Sequence, residues 1–422
     1  MHYCFGIHGS IAIIAFMSSQ LPTGISKQKL DQLGQDPKFV TAKSVCETLW
    51  AKGFKCYFVG GSVRDILIGR LGKDYDLATS ALPEQIEAVF PKTIAIGKAF
   101  GIITVIQNGI PIEVATFRSE STYTDGRHPE KIQFTDEKTD ALRRDFTVNA
   151  LFWDPRNSEI IDYVNGLSDL QNRILKTVGD PQARFTEDYL RLIRLIRFQS
   201  QLGFEIEAKT LEAFNSQFIK ALQVSAERLT QEFDALLKGQ HLQAALTTLQ
   251  SCQFFHKFFQ LSQPLLSPQN IFSEPDFRWA QFLVYVNVAN DPEQILKFFK
   301  LSSQIRQQID HYLFWFAQKN IKDFQNSWFE KIFKTGSFQG LSKAHELGLV
   351  SADWYQNLAQ VYHAHHKTAP QPIVGFNDLP VQYQKPNPET GLLLKRIYWI
   401  QLKESITDRE LLIKKGLTET KQ

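Results

Sequence analysis

Two glycines, Gly60 and Gly61, follow directly on the apolar run Cys56–Val59, and two aspartates one residue apart, Asp74 and Asp76, come soon after. This combination constrains the chain more than any other. The run Cys56–Val59 predicts a strand. The glycines let the chain turn sharply and bring backbone N–H groups close to a phosphate. Residues 63–68 predict a helix whose N-terminus favours an anion. On a strand, the spacing of Asp74 and Asp76 puts both carboxylates on one face. Two converging carboxylates suit Mg²⁺, a hard ion that prefers oxygen ligands. The stretch reads as a site for phosphates and a divalent ion.

The surroundings predict an α/β head. Residues 38–52 read as a helix with Val40, Val45, Leu49 and Trp50 on its apolar face. Pro83 and Glu84 mark another helix start. Residues 94–96, 101–106 and 111–117 are short apolar or alternating runs, and Asn108-Gly109 between the last two is a hairpin signal. A mixed sheet follows from these. From Pro181 onward the periodicity turns helical, at 187–201, 210–218, 226–237, 241–259 and 291–299. The aromatic residues between 254 and 355 read as core.

Composition removes several classes. The formal net charge of the 422 residues is only +3, so any RNA-binding surface must be a local basic patch. Four cysteines form no metal-ligand cluster and fit a chain with free thiols. Residues 11–17 are apolar but far too short to span a membrane, and no Lys or Arg precedes them. No secretory signal is expected, and the expected location is cytoplasmic. Another reading takes the first sixteen residues as an upstream extension, with translation starting at Met17; on either reading residues 1–25 should have no catalytic role. His363, His365 and His366 lack the convergent partners of a zinc site, which leaves solvent or RNA phosphate as their neighbours. The chain also shows no His-Asp pair of the kind a phosphohydrolase domain would bring.

The segment 60–77, Gly-Gly-x-Val-Arg-Asp-x-Leu-x-Gly-Arg-x-x-x-Asp-x-Asp-Leu, resembles the signature of the class II tRNA nucleotidyltransferase and bacterial poly(A) polymerase family. Further matches follow in the family's order: Arg143-Arg144-Asp145-Phe146-Thr147-Val148-Asn149-Ala150-Leu151, then Glu187-Asp188-x-x-Arg191 with Arg197-Phe198, then Ser225-Ala226-Glu227-Arg228. Near the C-terminus, Gly391-Leu392-Leu393-Leu394-Lys395 and the Gln401 region are similar to the tail of CCA-adding members. The resemblance implies an α+β chain. A polymerase beta-like catalytic head at 26–180 would be followed by an all-helical neck at 181–240, body at 241–365 and tail at 366–422, behind an extension at 1–25.

The implied activity is addition of the 3′-terminal CCA of tRNA from CTP and ATP with release of pyrophosphate. The alternatives are poly(A) synthesis, addition of A or CC alone, or a catalytically silent RNA-binding protein. Asp74 and Asp76 are the expected ligands of two Mg²⁺ ions. Glu113, on a strand and facing away from Ile112 and Val114, is the expected third carboxylate, orienting or deprotonating the attacking 3′-hydroxyl. Gly60, Gly61, Arg64, Arg143, Arg144, Asp145, Asn149, Arg194 and Arg197 are assigned to nucleotide binding, with one of the adjacent arginines available to pair with Asp145. Asp188 and Arg191, three apart, would share a helix face. There Asp188 can accept from the amino group of adenine or cytosine while Arg191 donates to the ring, a pattern that guanine and uracil oppose. The bland reading of this pair is a salt bridge. Residues 118–142 contain the polar loop that helps the family change from C to A. In the tail, Lys395, Arg396 and Lys403 are expected to touch the tRNA elbow, while the acceptor arm enters the head. No obligate protein partner is expected.

Overall fold

A computed structural model describes residues 25–120, 132–262, 265–266, 275–289, 291–316 and 328–418. The expectations for residues 1–24 and for the polar loop at 123–129 lie outside the described residues. The chain divides into two compact units with the boundary between Ser225 and Ala226, within the segment expected as the neck.

In the first unit, helices α1 (Lys27–Leu33) and α2 (Pro37–Ala51) precede strand β1 (Cys56–Val59) and helix α3 (Gly61–Leu67). Then come β2 (Leu77–Thr79), α4 (Pro83–Val89), β3 (Thr93–Ile94), β4 (Ile102–Gln107) and β5 (Ile110–Thr116). A small ribbon, β6 (Arg118–Glu120) with β7 (Ile132–Phe134), leads to α5 (Glu137–Leu142), β8 (Phe152–Asp154), β9 (Glu159–Ile161) and α6 (Gly166–Gln171). The main sheet has seven strands in the order β3-β4-β5-β2-β1-β8-β9. It is mixed, because β2 and β5 run parallel while the other pairs are antiparallel. Asn108 (φ 54°) and Gly109 (φ 76°) form the two-residue hairpin between β4 and β5, both left-handed as that turn demands.

Asp36 caps α2 through Lys38 N at 2.9 Å, and Pro37 fits its first turn. The buried face is Phe39, Ala42, Val45, Cys46 and Leu49. This corrects the expected stripe at one point: Val40 is 46% exposed. Phe39, one position earlier, starts the i, i+3, i+7, i+10 row and stacks on Phe58 and Trp153 with centroids 5.1 and 5.7 Å away. On the opposite sheet face Tyr57, Val59, Ala78, Phe117 and Phe152 cluster. All four residues of β1 are buried, so the strand that carries the glycine turn is fixed from both sides.

The helical part begins at α7 (Pro181–Glu187), capped by Asp180, and continues in α8 (Leu190–Leu202), α9 (Ala208–Gln217) and α10 (Ala226–Leu237). The stretch 187–201 is therefore two helices and not one. Asp188 is extended (φ −145°, ψ 106°) and breaks the run. The neck is also not wholly helical. Gly203, left-handed at φ 69°, stops α8, and β11 (Glu205–Ile206) pairs in parallel with β10 (Ile174–Leu175).

In the second unit α10 is followed by α11 (Leu242–Ser251), α12 (Phe254–Phe258), α13 (Arg278–Tyr285) and α14 (Glu293–Leu296). Gln253, left-handed at φ 56°, splits the expected helix at 241–259. The expected helix at 291–299 shrinks to the four residues of α14. Helices α15 (Ser303–Leu313), α16 (Trp328–Lys331), α17 (Ser337–Glu346), α18 (Ala352–Ala364), α19 (Pro388–Glu404) and α20 (Arg409–Thr418) complete it. Its core is aromatic, as expected: Phe233 lies within 5.0–6.4 Å, centroid to centroid, of Phe254, Phe259, Phe282 and Phe299. A second cluster, Val374, Leu379, Leu393, Ile397, Ile400 and Leu412, holds α19 and α20 together. Among the described residues no helix is long and apolar enough to cross a membrane.

Candidate active site

The glycine turn forms as the sequence predicts. Gly60 sits at φ 72°, which an L side chain rarely adopts, and a Cβ there would lie 3.3 Å from Arg144 Nη1. The missing side chain lets a guanidinium approach the turn. Strand register then places the acids. Phe58 opposes Leu77, so Asp76 lies beside Val59, whose N–H donates to the Asp76 carbonyl at 3.0 Å. Leu77 is level with Val114 on the parallel neighbour, so Asp76 is level with Glu113. Glu113 is exposed between buried Ile112 and Val114, as alternation requires.

Neither aspartate lies inside a strand. Asp74 sits in the bend before β2 and Asp76 immediately precedes it, so strand alternation is not what brings them together. The Asp74 carboxylate is largely exposed and pairs with Lys38 Nζ at 2.9 Å. Tyr75 between them is buried and donates its hydroxyl hydrogen bond to Asp36 Oδ2 at 2.8 Å, which ties the bend to the cap of α2.

The Asp76 carboxyl is pushed up to about 6 by loss of surrounding water, then by the charges of Glu113 and Asp74, with Arg144 opposing. The residue itself remains solvent-exposed, so the neighbouring charges carry more of the argument than burial. Among the described residues, no three acidic, histidine or cysteine side chains are gathered as a metal-binding group. The donor set nonetheless fits a hard divalent cation: oxygen ligands only, close enough to repel one another, with water access.

The arginines are held by acids that sequence reasoning missed. Asp140, 1% exposed, accepts from Arg143 Nε and Nη2 at 2.9 and 2.7 Å with one oxygen, and from Arg144 Nε and Nη2 at 3.2 and 3.0 Å with the other. Burial alone would raise its carboxyl, but the two guanidiniums outweigh that and hold it below the usual range. The i+3 and i+4 spacing of Arg143 and Arg144 from Asp140 was the available signal.

Asp145 takes its arginine from farther along the chain, pairing with Arg194. It accepts from Arg194 Nε and Nη2 at 2.9 and 2.6 Å, from Asn149 Nδ2 at 3.2 Å and from Phe146 N at 2.8 Å. Asn149 Oδ1 in turn accepts from Arg64 Nη1 at 2.5 Å, and Arg64 also pairs with Asp65 at 2.8 Å. Burial disfavours the Asp145 charge, yet Arg194 and these hydrogen bonds hold the carboxyl at about 2.

Asp188 and Arg191 meet at the helix break rather than on one helix face. Asp188 Oδ1 accepts from Leu190 N at 3.0 Å, and Arg191 N donates to the Asp188 carbonyl at 3.0 Å. The Arg191 guanidinium pairs with Glu187 and donates to the carbonyls of Arg184 and Arg143 at 3.0 and 3.2 Å. Glu187, quoted in the motif but given no role, is the acid that sets this arginine.

The proposed RNA-binding residues belong to the second unit. Lys395 and Lys403 are exposed on α19, while Arg396 is half-buried and donates to the Gly416 carbonyl at 3.3 Å. Arg409 and Lys415 pair with Asp378 and Glu404 at 2.9 and 2.5 Å. His365 bonds the Leu402 carbonyl at 2.9 Å, so this member of the histidine group joins α18 to α19.

Comparison with known proteins agrees with this arrangement. Residues 56–176 match the Poly A polymerase head domain, and residues 203–267 match the probable RNA and SrmB-binding site of polymerase A. The CCA-adding enzyme of Bacillus pumilus is 44% identical over 220 residues, 52% of this chain and 55% of that protein. That match spans only about half of the relative. The match to the CCA-adding enzyme of Streptococcus pyogenes serotype M3 is longer, 33% identical over 375 residues, 85% of this chain and 92% of that one. The crystal structure of the Bacillus stearothermophilus CCA-adding enzyme in complex with CTP superimposes with a TM-score of 0.74 at 28% identity, covering 92% of this chain and 100% of that one. With its signature motifs in order and a relative aligned along most of both lengths, the chain belongs to the bacterial CCA-adding tRNA nucleotidyltransferase family of the poly(A) polymerase superfamily, enzymes that add nucleotides without a nucleic-acid template.

Proposed function

We propose that this chain adds or repairs the 3′-terminal CCA of tRNA, using CTP and ATP. The observation that carries the reading is the register that sets Asp76 level with Glu113 beside the Gly60 turn. Asp74 and Asp76 would hold Mg²⁺, which supplies charge neutralisation at the reacting phosphate when bound. The 3′-hydroxyl oxygen attacks the α-phosphorus, its proton passes to Glu113, and the bond to pyrophosphate breaks. Arg64, Arg143 and Arg144 face the developing negative charge. Because Asp140 already fixes Arg143 and Arg144, little reorganisation is left for the moment of reaction.

Base choice rests on Asp188 and Arg191. Their position at a break between helices, with Arg191 braced by Glu187, makes a hydrogen-bonding edge that matches the amino-bearing faces of adenine and cytosine. Guanine or uracil would leave polar groups unpaired at a cost of ~1–3 kcal/mol each. In this scheme residues 26–180 are the catalytic head, 181–240 the base-selecting neck, 241–365 the body and 366–422 a tail that holds the tRNA elbow through Lys395, Arg396 and Lys403. The acceptor arm then presents its 3′ end to the head, and no obligate protein partner is needed. The expected setting is cytoplasmic.

The test supplies purified protein with Mg²⁺, CTP and ATP, and tRNA ending before CCA, tRNA ending in CC, or an unstructured oligonucleotide. Sequenced products should show C, C, A and a stop on the first, A on the second and little on the third. Long A tails on the oligonucleotide would replace the reading with poly(A) synthesis. Failure to add C would reduce it to A addition. In the same assay Asp188→Ala should admit UTP and GTP, and unchanged rejection of both would move base selection elsewhere.

A further inference from the structure

One buried ring in the first unit has an unusual set of neighbours. Phe198, 5% exposed on α8, has the Arg197 guanidinium 4.0 Å from its centroid, Arg64 at 5.2 Å and Arg194 at 5.3 Å. Two of these arginines come from α8 itself, whereas Arg64 comes from the helix after the glycine turn. Like charges brought this close repel one another. Asp65 and Asp145 offset two of them, at 2.8 and 2.6 Å from Arg64 and Arg194. The negative face of an aromatic ring attracts a guanidinium within about 6 Å, and more strongly when water is excluded. The edge of Phe146 meets the same ring at 5.7 Å and 79°, which fixes its tilt.

A polar circuit runs beside the ring. Arg64 donates to Asn149, Asn149 to Asp145, and Arg194 to Asp145, so the glycine-turn helix and α8 are linked through two side chains. The circuit includes Arg64 and Arg194. The Phe198 ring touches all three guanidiniums.

We propose that Phe198 is a positioning residue of the nucleotide site, whose ring gathers Arg64, Arg194 and Arg197 into one cationic surface for the triphosphate. The inference rests on the proposed function and extends it to a residue that touches neither metal nor substrate. An aliphatic side chain of similar size would fill the space but would not hold three like charges together. The arginines would spread, and nucleotide affinity would fall before the fold did.

The test replaces Phe198 with mono-, di- and trifluorinated phenylalanine, which keeps the shape and withdraws charge from the ring face in steps. Binding of CTP in Mg²⁺ is measured by calorimetry, and the melting temperature is recorded for each protein. The expected result is a Kd that climbs with each fluorine, reaching about tenfold for the trifluorinated ring, with little change in melting temperature. Phe198→Leu should weaken CTP binding at least as much. A flat series overturns the proposal and leaves Phe198 as ordinary core, and so does a folded Phe198→Leu protein with unchanged Kd. Wild-type protein that binds neither CTP nor ATP would defeat the proposed function and this inference together. Normal wild-type binding with a flat series defeats the inference alone.

Discussion

The two units bury different things. In the unit ending at Ser225 the buried set includes Arg64, Asp140, Asp145, Asp154, Asp169 and Arg191. In the unit beginning at Ala226 the buried charged residues among the described residues are Glu232 and Lys343, and rings fill the interior, with Trp279 and Phe299 4.7 Å apart and Phe254 stacked on Phe258 at 4.6 Å. Burying a charge is unfavourable unless it is paired and hydrogen-bonded, and a ring core needs no such matching. The first unit therefore keeps a costly, well-specified interior where chemistry needs fixed charges. The second fills its volume with apolar surface and keeps its shape by packing.

The comparison breaks most sharply at the acids. Asp76→Asn should lower nucleotide incorporation by about 10³-fold or more while the melting temperature stays close to that of the wild type, since Asp76 is exposed. Incorporation of labelled CTP measures the first quantity and calorimetry the second. Near-normal incorporation would remove Asp76 from the proposed metal site.

A matched pair of substitutions probes the two interiors. Asp140→Ala leaves two guanidiniums without their shared carboxylate and should cost about 3–5 kcal/mol of stability together with CTP affinity. Phe233→Ala, in the other unit, should cost a similar ~3–5 kcal/mol by opening a cavity. Its CTP affinity, measured well below the melting temperature, should not change. If Phe233→Ala weakened CTP binding as much as Asp140→Ala, the division of labour between the units would fail.

The smallest effect is a pH dependence. The Asp145 carboxyl lies at about 2, below its ordinary 3.8, because Arg194 and its hydrogen bonds outweigh burial. A folded-state pKa below the unfolded one adds stability above the unfolded value and loses it as pH falls through the folded value. Asp145 should thus contribute about 2 kcal/mol at neutral pH, lost between about pH 4 and pH 2. Denaturant unfolding of wild type and Asp145→Asn across that window measures it. Parallel curves would show that Asp145 is not held by Arg194 in solution.

Much of the site was legible because it is local. The strand Cys56–Val59, the turn at Gly60, the Asn108-Gly109 hairpin and the start of the helical part at Pro181 follow from steric and capping rules that act within a few residues. Pairings across the chain were not legible in the same way. A sequence shows that Asp145 adjoins Arg144 but not that Arg194, 49 residues on, is its partner at 2.6 Å. Nor does periodicity show the break at Asp188, since Leu190, Ile193 and Ile196 all lie beyond it on one helix and carry no mark of where that helix starts.

The sequence by itself determined the family, the α+β plan and the residue types of the site, because short-range sterics and motif order need no knowledge of distant neighbours. Only the tertiary structure decided which charges neutralise which. It set Asp76 level with Glu113 through the parallel pairing of β2 with β5, put Asp140 between two arginines, and brought Arg64 to the ring of Phe198. The physical reason is that Coulomb attraction and strand register act through space, between groups whose separation is fixed only once the sheet and the helices have packed.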